Sequence, residues 1–172
     1  MQVDLKSGLM RGVRQIASPN RDARPAGVEA DLIVVHGISL PPGEFGGPWI
    51  DRLFTNTLPA DVHTYFAEIS GLRVSSHLVV MRDGAVTQYV GFTERAWHAG
   101  KSLYQGREAC NDFSVGVELE GTDTLPYEPT QYVALAEDGG DCLRLGLLHV
   151  FGAPWEKELL RELQEPTPCS VF

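Results

Sequence analysis

A short apolar run at residues 32–35, Leu-Ile-Val-Val, constrains the fold of this chain more than any other feature. A continuous apolar stretch of this length is typical of a strand that is buried on both faces. Such a strand needs packing layers above and below a sheet. Further strands are predicted at 75–81 and 85–90, around an Asp-Gly hairpin signal, and at 113–120.

Helical segments alternate with these strands. Short helices are predicted at Trp49–Phe54 and 65–69, and an amphipathic helix is predicted to begin at 128–136. The Leu-Pro-Pro-Gly segment at 40–43 can continue neither a strand nor a helix. Strands interleaved with helices indicate an α/β or α+β domain built on one central sheet.

The last part of the chain fits this pattern less well. The segment 137–141, Glu-Asp-Gly-Gly-Asp, is predicted to interrupt the third helix, and a further helix is predicted at 155–165. We therefore expect an incomplete domain at 1–136. Residues 137–172 would then form an atypical tail that replaces the end of the same domain.

Charge limits the partners of this chain. Its 172 residues carry a formal net charge of −9. Nucleic acids and anionic lipids are bound through clustered Lys and Arg, so neither is an expected partner. The chain is expected to be a monomer.

The N-terminus and the cysteines predict the compartment. Residues 1–10 lack the apolar core of a signal peptide, and no later stretch is long and apolar enough to span a bilayer. Cys110, Cys142 and Cys169 match no disulfide framework or metal motif. A cytoplasmic protein with reduced thiols is expected.

His36 and Glu118 are candidate residues of a functional site. His36 follows the buried run and precedes a loop, so it is either a metal ligand or a histidine that caps or packs the strand. Glu118 alternates with apolar residues and shares its strand face with Glu120 and Gly116. That face is either an open acidic site with a general base or an ordinary solvated face.

Other candidates also have two interpretations. His77 alternates with apolar neighbours and is expected to be a hydrogen-bonded core residue, whereas His63 is expected to be exposed. The loop 97–100, Trp-His-Ala-Gly, either lines a sugar-binding cleft or packs a corner. The chain has no Ser-His-Asp order and no phosphate loop, which favours metal-assisted hydrolysis among enzyme classes.

Five segments, in order, resemble the AmpD-type amidases, a branch of the zinc-dependent N-acetylmuramoyl-L-alanine amidases. The resemblance covers most of residues 11–135. The segments are 34–43 (VVHGISLPPG), 73–77 (RVSSH), 95–100 (RAWHAG), 105–114 (QGREACNDFS) and 116–123 (GVELEGTD).

The resemblance implies a mixed sheet flanked by helices, with zinc held in a surface cleft by two histidines and an aspartate. His36 matches the first histidine ligand, and Glu118 matches the glutamate that takes a proton from the zinc-bound water. Arg73 and Trp97 match positions that line the muropeptide cleft. Gly37 stands where the family often has asparagine, which implies the loss of a substrate hydrogen bond.

The implied reaction is hydrolysis of the amide that joins anhydro-N-acetylmuramic acid to L-alanine, during peptidoglycan recycling. Zinc lowers the pKa of its water to about 7, and the hydroxide attacks the lactyl carbonyl. Zinc and a lysine stabilise the oxyanion, and Glu118 passes the proton to the leaving amine.

The family's C-terminal motif is not present as such. In its register Leu159 occupies the position of the aspartate ligand, and the preceding helix is several residues short. Two hypotheses follow: a relic in which His149 is the second ligand and Lys157 the oxyanion partner, or an unrelated tail. The residues that do match the motif are His149, Ala153, Pro154 and Lys157.

These hypotheses leave three expectations for function. The chain is an active zinc amidase, or it binds muropeptide through Arg73 and Trp97 without cutting it, or it is a defective product whose tail fails to complete the core.

Overall fold

A six-stranded mixed sheet forms the centre of the protein. The computed structural model describes residues 2–144 and 149–152. The elements in chain order are β1 (Gln2–Asp4), β2 (Leu9–Arg11), β3 (Arg14–Gln15), β4 (Arg21–Ala23), β5 (Leu32–Ile38), α1 (Trp49–Phe54), α2 (Thr64–Ile69), β6 (Leu78–Val80), β7 (Val86–Gln88), β8 (Glu94–Ala96), β9 (Leu103–Tyr104), β10 (Arg107–Glu108), a 3₁₀ turn (Cys110–Asp112), β11 (Ser114–Glu120), α3 (Pro129–Arg144) and β12 (His149–Gly152).

The central sheet has the strand order β12-β5-β11-β6-β7-β3. Its middle is parallel, because β5 pairs with both β12 and β11, and β11 also pairs with β6 in parallel. The pairing of β6 with β7 is antiparallel, which makes the sheet mixed. The fold class expected from the sequence is confirmed.

Alternation along the strands separates two apolar layers. On one face, Val115, Val117 and Leu119 of β11 pack with Ala134 and Leu135 of α3. Layers on both faces explain why the run at the start of β5 has no polar alternation. The layer on the opposite face combines Val79 with residues of α1, α2 and the adjoining loops, namely Leu40, Ile50, Leu53, Phe54, Leu58, Phe66, Tyr89, Val90 and Ala96.

Local sequence signals predict the three α-helices and the strands β5, β6, β7 and β11. The first helix, Trp49–Phe54, has the expected bounds, and the second begins one residue before the expected start, at Thr64. The hairpin strands form around Asp83-Gly84 but are shorter than expected. The buried strand continues past its apolar run to Ile38, so His36 lies inside β5 and not after it.

The structure departs from the sequence analysis near both ends of the described chain. The N-terminal segment, for which no strand is predicted, contains four short strands, β1 to β4, two of which pair with distant strands near residues 87 and 95. The prediction that the third helix is interrupted at 137–141 is wrong, because α3 continues through both glycines to Arg144. Each glycine costs a helix about 1 kcal/mol relative to alanine, which weakens a helix without ending it.

Some expectations concern residues at the limits of the described chain. The boundary between 136 and 137 falls inside α3, so the division into a domain and a tail stays a prediction. The helix expected at 155–165 lies outside the described residues. Cys110 is a free, buried thiol. None of the described helices has the length and apolar character needed to cross a bilayer.

Candidate active site

His36 and Glu118 are direct neighbours on the two central strands. They are register partners in the parallel pairing of β5 with β11. Adjacent strands lie about 4.8 Å apart, and aligned residues of parallel strands point to the same face. The sheet therefore presents an imidazole and a carboxyl group side by side, on the face that carries α1 and α2.

His98 lies against the same face, although it is distant in sequence. Its ring rests on Gly116, where an added Cβ would lie only 2.3 Å from the ring carbon Cγ. The backbone amides of His98 and Ala99 both donate to Oδ1 of Asn111, at 3.1 and 2.8 Å. The glycine in β11 thus makes room for the ring, and Asn111 fixes the loop that carries it.

A chain of polar contacts joins His98 to His36. Nδ1 of His98 lies 3.0 Å from Nε2 of His36, and Nε2 of His98 lies 3.1 Å from Oγ of Ser114. Burial lowers the pKa of His36. Burial, together with His77, His36 and Arg24, lowers the pKa of His98 well below its ordinary value. Both rings therefore favour the neutral form, in which a ring nitrogen can accept a proton or a metal.

The acidic face of β11 is covered, which neither interpretation of the sequence anticipated. Glu118 is 8% exposed and Glu120 is 3% exposed. Glu120 is structural, because it accepts from the backbone amides of Gly46 and Arg82. Burial raises the pKa of Glu118 to about 8. A carboxyl group with a pKa near neutrality can both take and give a proton at physiological pH.

His77 is a core residue, as expected. Its Nδ1 accepts from the amide of Gly116 at 2.9 Å, and its Nε2 lies 3.1 Å from the carbonyl oxygen of Glu94. Burial lowers its pKa to about 3, and the nearby Arg24 adds to this effect. Both ring nitrogens are committed to the backbone. His63, expected to be exposed, is half-buried and caps α2 through Nδ1.

The loop of Trp97 is tied to neighbouring segments. The indole Nε1 donates to Oδ1 of Asp22 at 3.2 Å, and Asp22 also accepts two bonds from Arg95. The backbone of Trp97 exchanges hydrogen bonds with Ser75, two residues beyond Arg73. Arg73 itself is exposed. The two residues expected to line a cleft therefore lie on adjoining segments, and Trp97 directly precedes His98.

The remaining residues of the predicted site are not brought to His36 in the described chain. His149 begins β12, and its register partner is Leu32, four residues before His36. At about 3.3 Å per residue, this places the two backbones about 13 Å apart along the strand direction. Lys157 and Leu159 lie outside the described residues. Among described residues, no group of three His, Cys, Asp or Glu could hold a metal ion.

Sequence reasoning missed the roles of His98 and Ser114. From the sequence alone, the loop 97–100 is predicted only to line a cleft or to pack a corner. One available signal was the alternation in β11, which places Ser114, Gly116 and Glu118 on one face and leaves a gap at the glycine. Which side chain fills that gap is not a local feature, because His98 lies 18 residues before Gly116 and contacts it only in the folded chain.

Comparison with known proteins settles the family. The sequence pattern described as N-acetylmuramoyl-L-alanine amidase (Amidase_2) matches residues 26–144, more than half of the chain. The chain belongs to the N-acetylmuramoyl-L-alanine amidase family. The matched region contains His36, His98 and Glu118 but ends before His149.

Individual amidases of this family are close in sequence and in structure. The 1,6-anhydro-N-acetylmuramyl-L-alanine amidase AmpD of Escherichia coli is 60% identical over 132 residues, 77% of this chain and 72% of that protein. The Haemophilus influenzae AmpD is 50% identical over 134 residues, 78% and 73%. The crystal structure of a selenomethionine AmpD derivative superposes with a TM-score of 0.88 at 46% identity, covering 95% of this chain and 99% of that chain. These amidases are enzymes.

Proposed function

We propose that this amidase hydrolyses the amide between 1,6-anhydro-N-acetylmuramic acid and L-alanine in muropeptides, during peptidoglycan recycling in the cytoplasm. The observation that carries the proposal is the pairing of Glu118 with His36 on adjacent parallel strands. The identity of 60% to an E. coli amidase named for this substrate supports the choice of bond.

Glu118 is the proposed general acid and base. Its carboxyl group accepts a proton from the attacking water and returns that proton to the amine of the leaving L-alanine. Burial raises its pKa to about 8, so both protonation states are accessible near neutral pH. Arg73 and Trp97 are the proposed contacts of the muropeptide, on the segments beside the site.

Zinc is the proposed cofactor, and His36 is its proposed ligand. When bound, zinc lowers the pKa of a water molecule and polarises a carbonyl. A neutral imidazole inside β5, beside a carboxyl group on the adjacent strand, fits one ligand position. The described residues do not supply a whole ligand set. His149 as the second ligand and Lys157 as the oxyanion partner remain proposals from the family register, and the pairing of His149 with Leu32 does not favour the first.

The assignment of His36 leads to a prediction about zinc content. We expect His36→Ala to lose at least about 90% of the zinc that the parent protein retains after dialysis, because a catalytic zinc site has only three protein ligands. Elemental analysis measures this loss. His63→Asn is the matched control, since it removes an imidazole far along the chain and keeps a side chain that can cap α2. Equal zinc in the parent and His36→Ala would contradict the assignment.

A muropeptide-binding role without cleavage is the second candidate, favoured by the partial ligand set of the described residues. Calorimetry with an anhydromuropeptide, followed by chromatography of the same sample, separates the two. Heat from turnover and released peptide are expected for the amidase. Saturable binding with intact ligand would contradict hydrolysis and support the binding role.

A further inference from the structure

His98 lies in the site, but neither the family resemblance nor the proposed mechanism gives it a role. Its ring contacts the ring of His36 on one side, with centroids 5.2 Å apart, and that of His77 on the other, at 5.9 Å. It also fills the space above Gly116. A side chain this closely fitted against a proposed ligand can decide how that ligand is oriented.

The hydroxyl of Ser114 fixes the direction of the hydrogen bonds. Its Oγ lies 2.6 Å from the carbonyl oxygen of Cys110, which can only accept, so the single hydroxyl proton is donated there. Oγ is left with lone pairs toward Nε2 of His98 at 3.1 Å. His98 therefore carries a proton on Nε2 and donates it to Oγ of Ser114.

The protonation of His98 in turn fixes which ring donates the hydrogen bond between His98 and His36. His77 is fully buried, and His36 and His98 are half-buried. A guanidinium nitrogen of Arg24 lies 3.2 Å from Nε2 of His77, so an additional positive charge on these rings is disfavoured. A neutral His98 with its proton on Nε2 has an unprotonated Nδ1. The 3.0 Å contact to Nε2 of His36 is a hydrogen bond only if His36 donates it.

We propose that His98 is a positioning residue that holds His36 with its proton on Nε2 and so presents Nδ1 as the free ligating nitrogen. Ser114 sets this direction, and Gly116 and Asn111 hold the ring in place. The part of the proposal that concerns the metal rests on the proposed function. The tautomer of His36 is a property of the chain itself.

The tautomer is measured directly by ¹⁵N NMR of the histidine rings in the metal-free protein. The parent protein is expected to show His36 neutral, with Nε2 protonated and Nδ1 bare. A His36 signal with the proton on Nδ1, or an even mixture of tautomers, would overturn the proposal. This result does not depend on zinc or on activity, so it is separate from any failure of the proposed function.

Variants test whether His98 is the cause. His98→Phe keeps a ring above Gly116 but removes both nitrogens, and we expect His36 to become a mixture of tautomers and zinc to bind about 10- to 100-fold more weakly. Ser114→Ala, a smaller change, is expected to shift the tautomer in the same direction. His63→Asn should change neither the tautomer of His36 nor the affinity for zinc. A folded His98→Phe protein with an unchanged His36 tautomer would refute the role of His98, whichever metal result accompanies it.

Discussion

Glu118→Gln is expected to lower kcat/KM for the anhydromuropeptide by about 10²- to 10⁴-fold, because glutamine cannot accept or return a proton. The amide has nearly the shape of the carboxyl group, so the site keeps its packing. Chromatography of released peptide measures the loss. Glu68→Gln makes the same chemical change on the exposed surface of α2 and should leave the rate unchanged. A Glu118→Gln protein as active as its parent would remove the residue from the mechanism.

Glu118→Gln is expected to raise the free energy of unfolding, although it lowers activity. The pKa of Glu118 is about 8 in the folded protein, above its ordinary value of 4.5. Between those values the folded state holds a proton that the unfolded state has released. The free energy of unfolding therefore falls as pH rises through this window, by at most about 1.4 kcal/mol per pH unit. Below about pH 4.5 the group contributes no such loss, and above about pH 8 the loss is complete.

Urea denaturation of the metal-free protein at pH 6 and pH 9 measures this linkage. Glu118→Gln cannot ionise, so its gain in stability over the parent should be larger at pH 9 than at pH 6. The exposed control Glu68→Gln should follow the parent at both values. Equal differences between parent and Glu118→Gln at the two pH values would show that Glu118 does not titrate in this window.

Gly116→Ala is the substitution with the largest expected effect on the architecture of the site. The added Cβ would lie 2.3 to 2.7 Å from three atoms of the His98 ring. His98 is half-buried and its loop is held by Asn111, so the ring cannot move aside without breaking its contacts with His36 and Ser114. Overpacking of this kind costs about 1–3 kcal/mol, and the misplaced ring should also weaken zinc binding.

Thermal unfolding measures the cost, since 1 kcal/mol corresponds to a shift in Tm of about 2–4 °C for a chain of this size. Gly71→Ala is the matched control, because an added Cβ there meets nothing within 4 Å. A Gly116→Ala protein that melts with the parent would mean that the His98 ring does not lie where the account requires it.

The sequence predicts elements whose signals are local. The bounds of Trp49–Phe54 follow from apolar spacing, and the hairpin follows from Asp83-Gly84. The two-residue strand Arg14–Gln15 carries too little pattern to detect, because it forms only through pairing with the distant strand β7. The continuation of α3 through two glycines is also not predicted, because helix propensity is a weak constraint inside a packed helix.

The site shows the same division between local and distant information. Strand position, alternation and family resemblance predict His36 and Glu118 as site residues, and the register makes them neighbours. Burial of the acidic face was not predictable from β11 alone, because what covers it comes from other segments, His98 and the loop of Gly46. The partnership of His98 with His36 likewise arises only when the chain is folded.

The most direct test of the central claim is mass spectrometry of 1,6-anhydro-N-acetylmuramyl tripeptide after incubation with the purified protein, in parallel with Glu118→Gln. The account predicts free tripeptide and free anhydro-N-acetylmuramic acid, in a yield that depends on Glu118. Substrate left intact by a folded, zinc-loaded protein, or cleavage that is equal in Glu118→Gln, would contradict it.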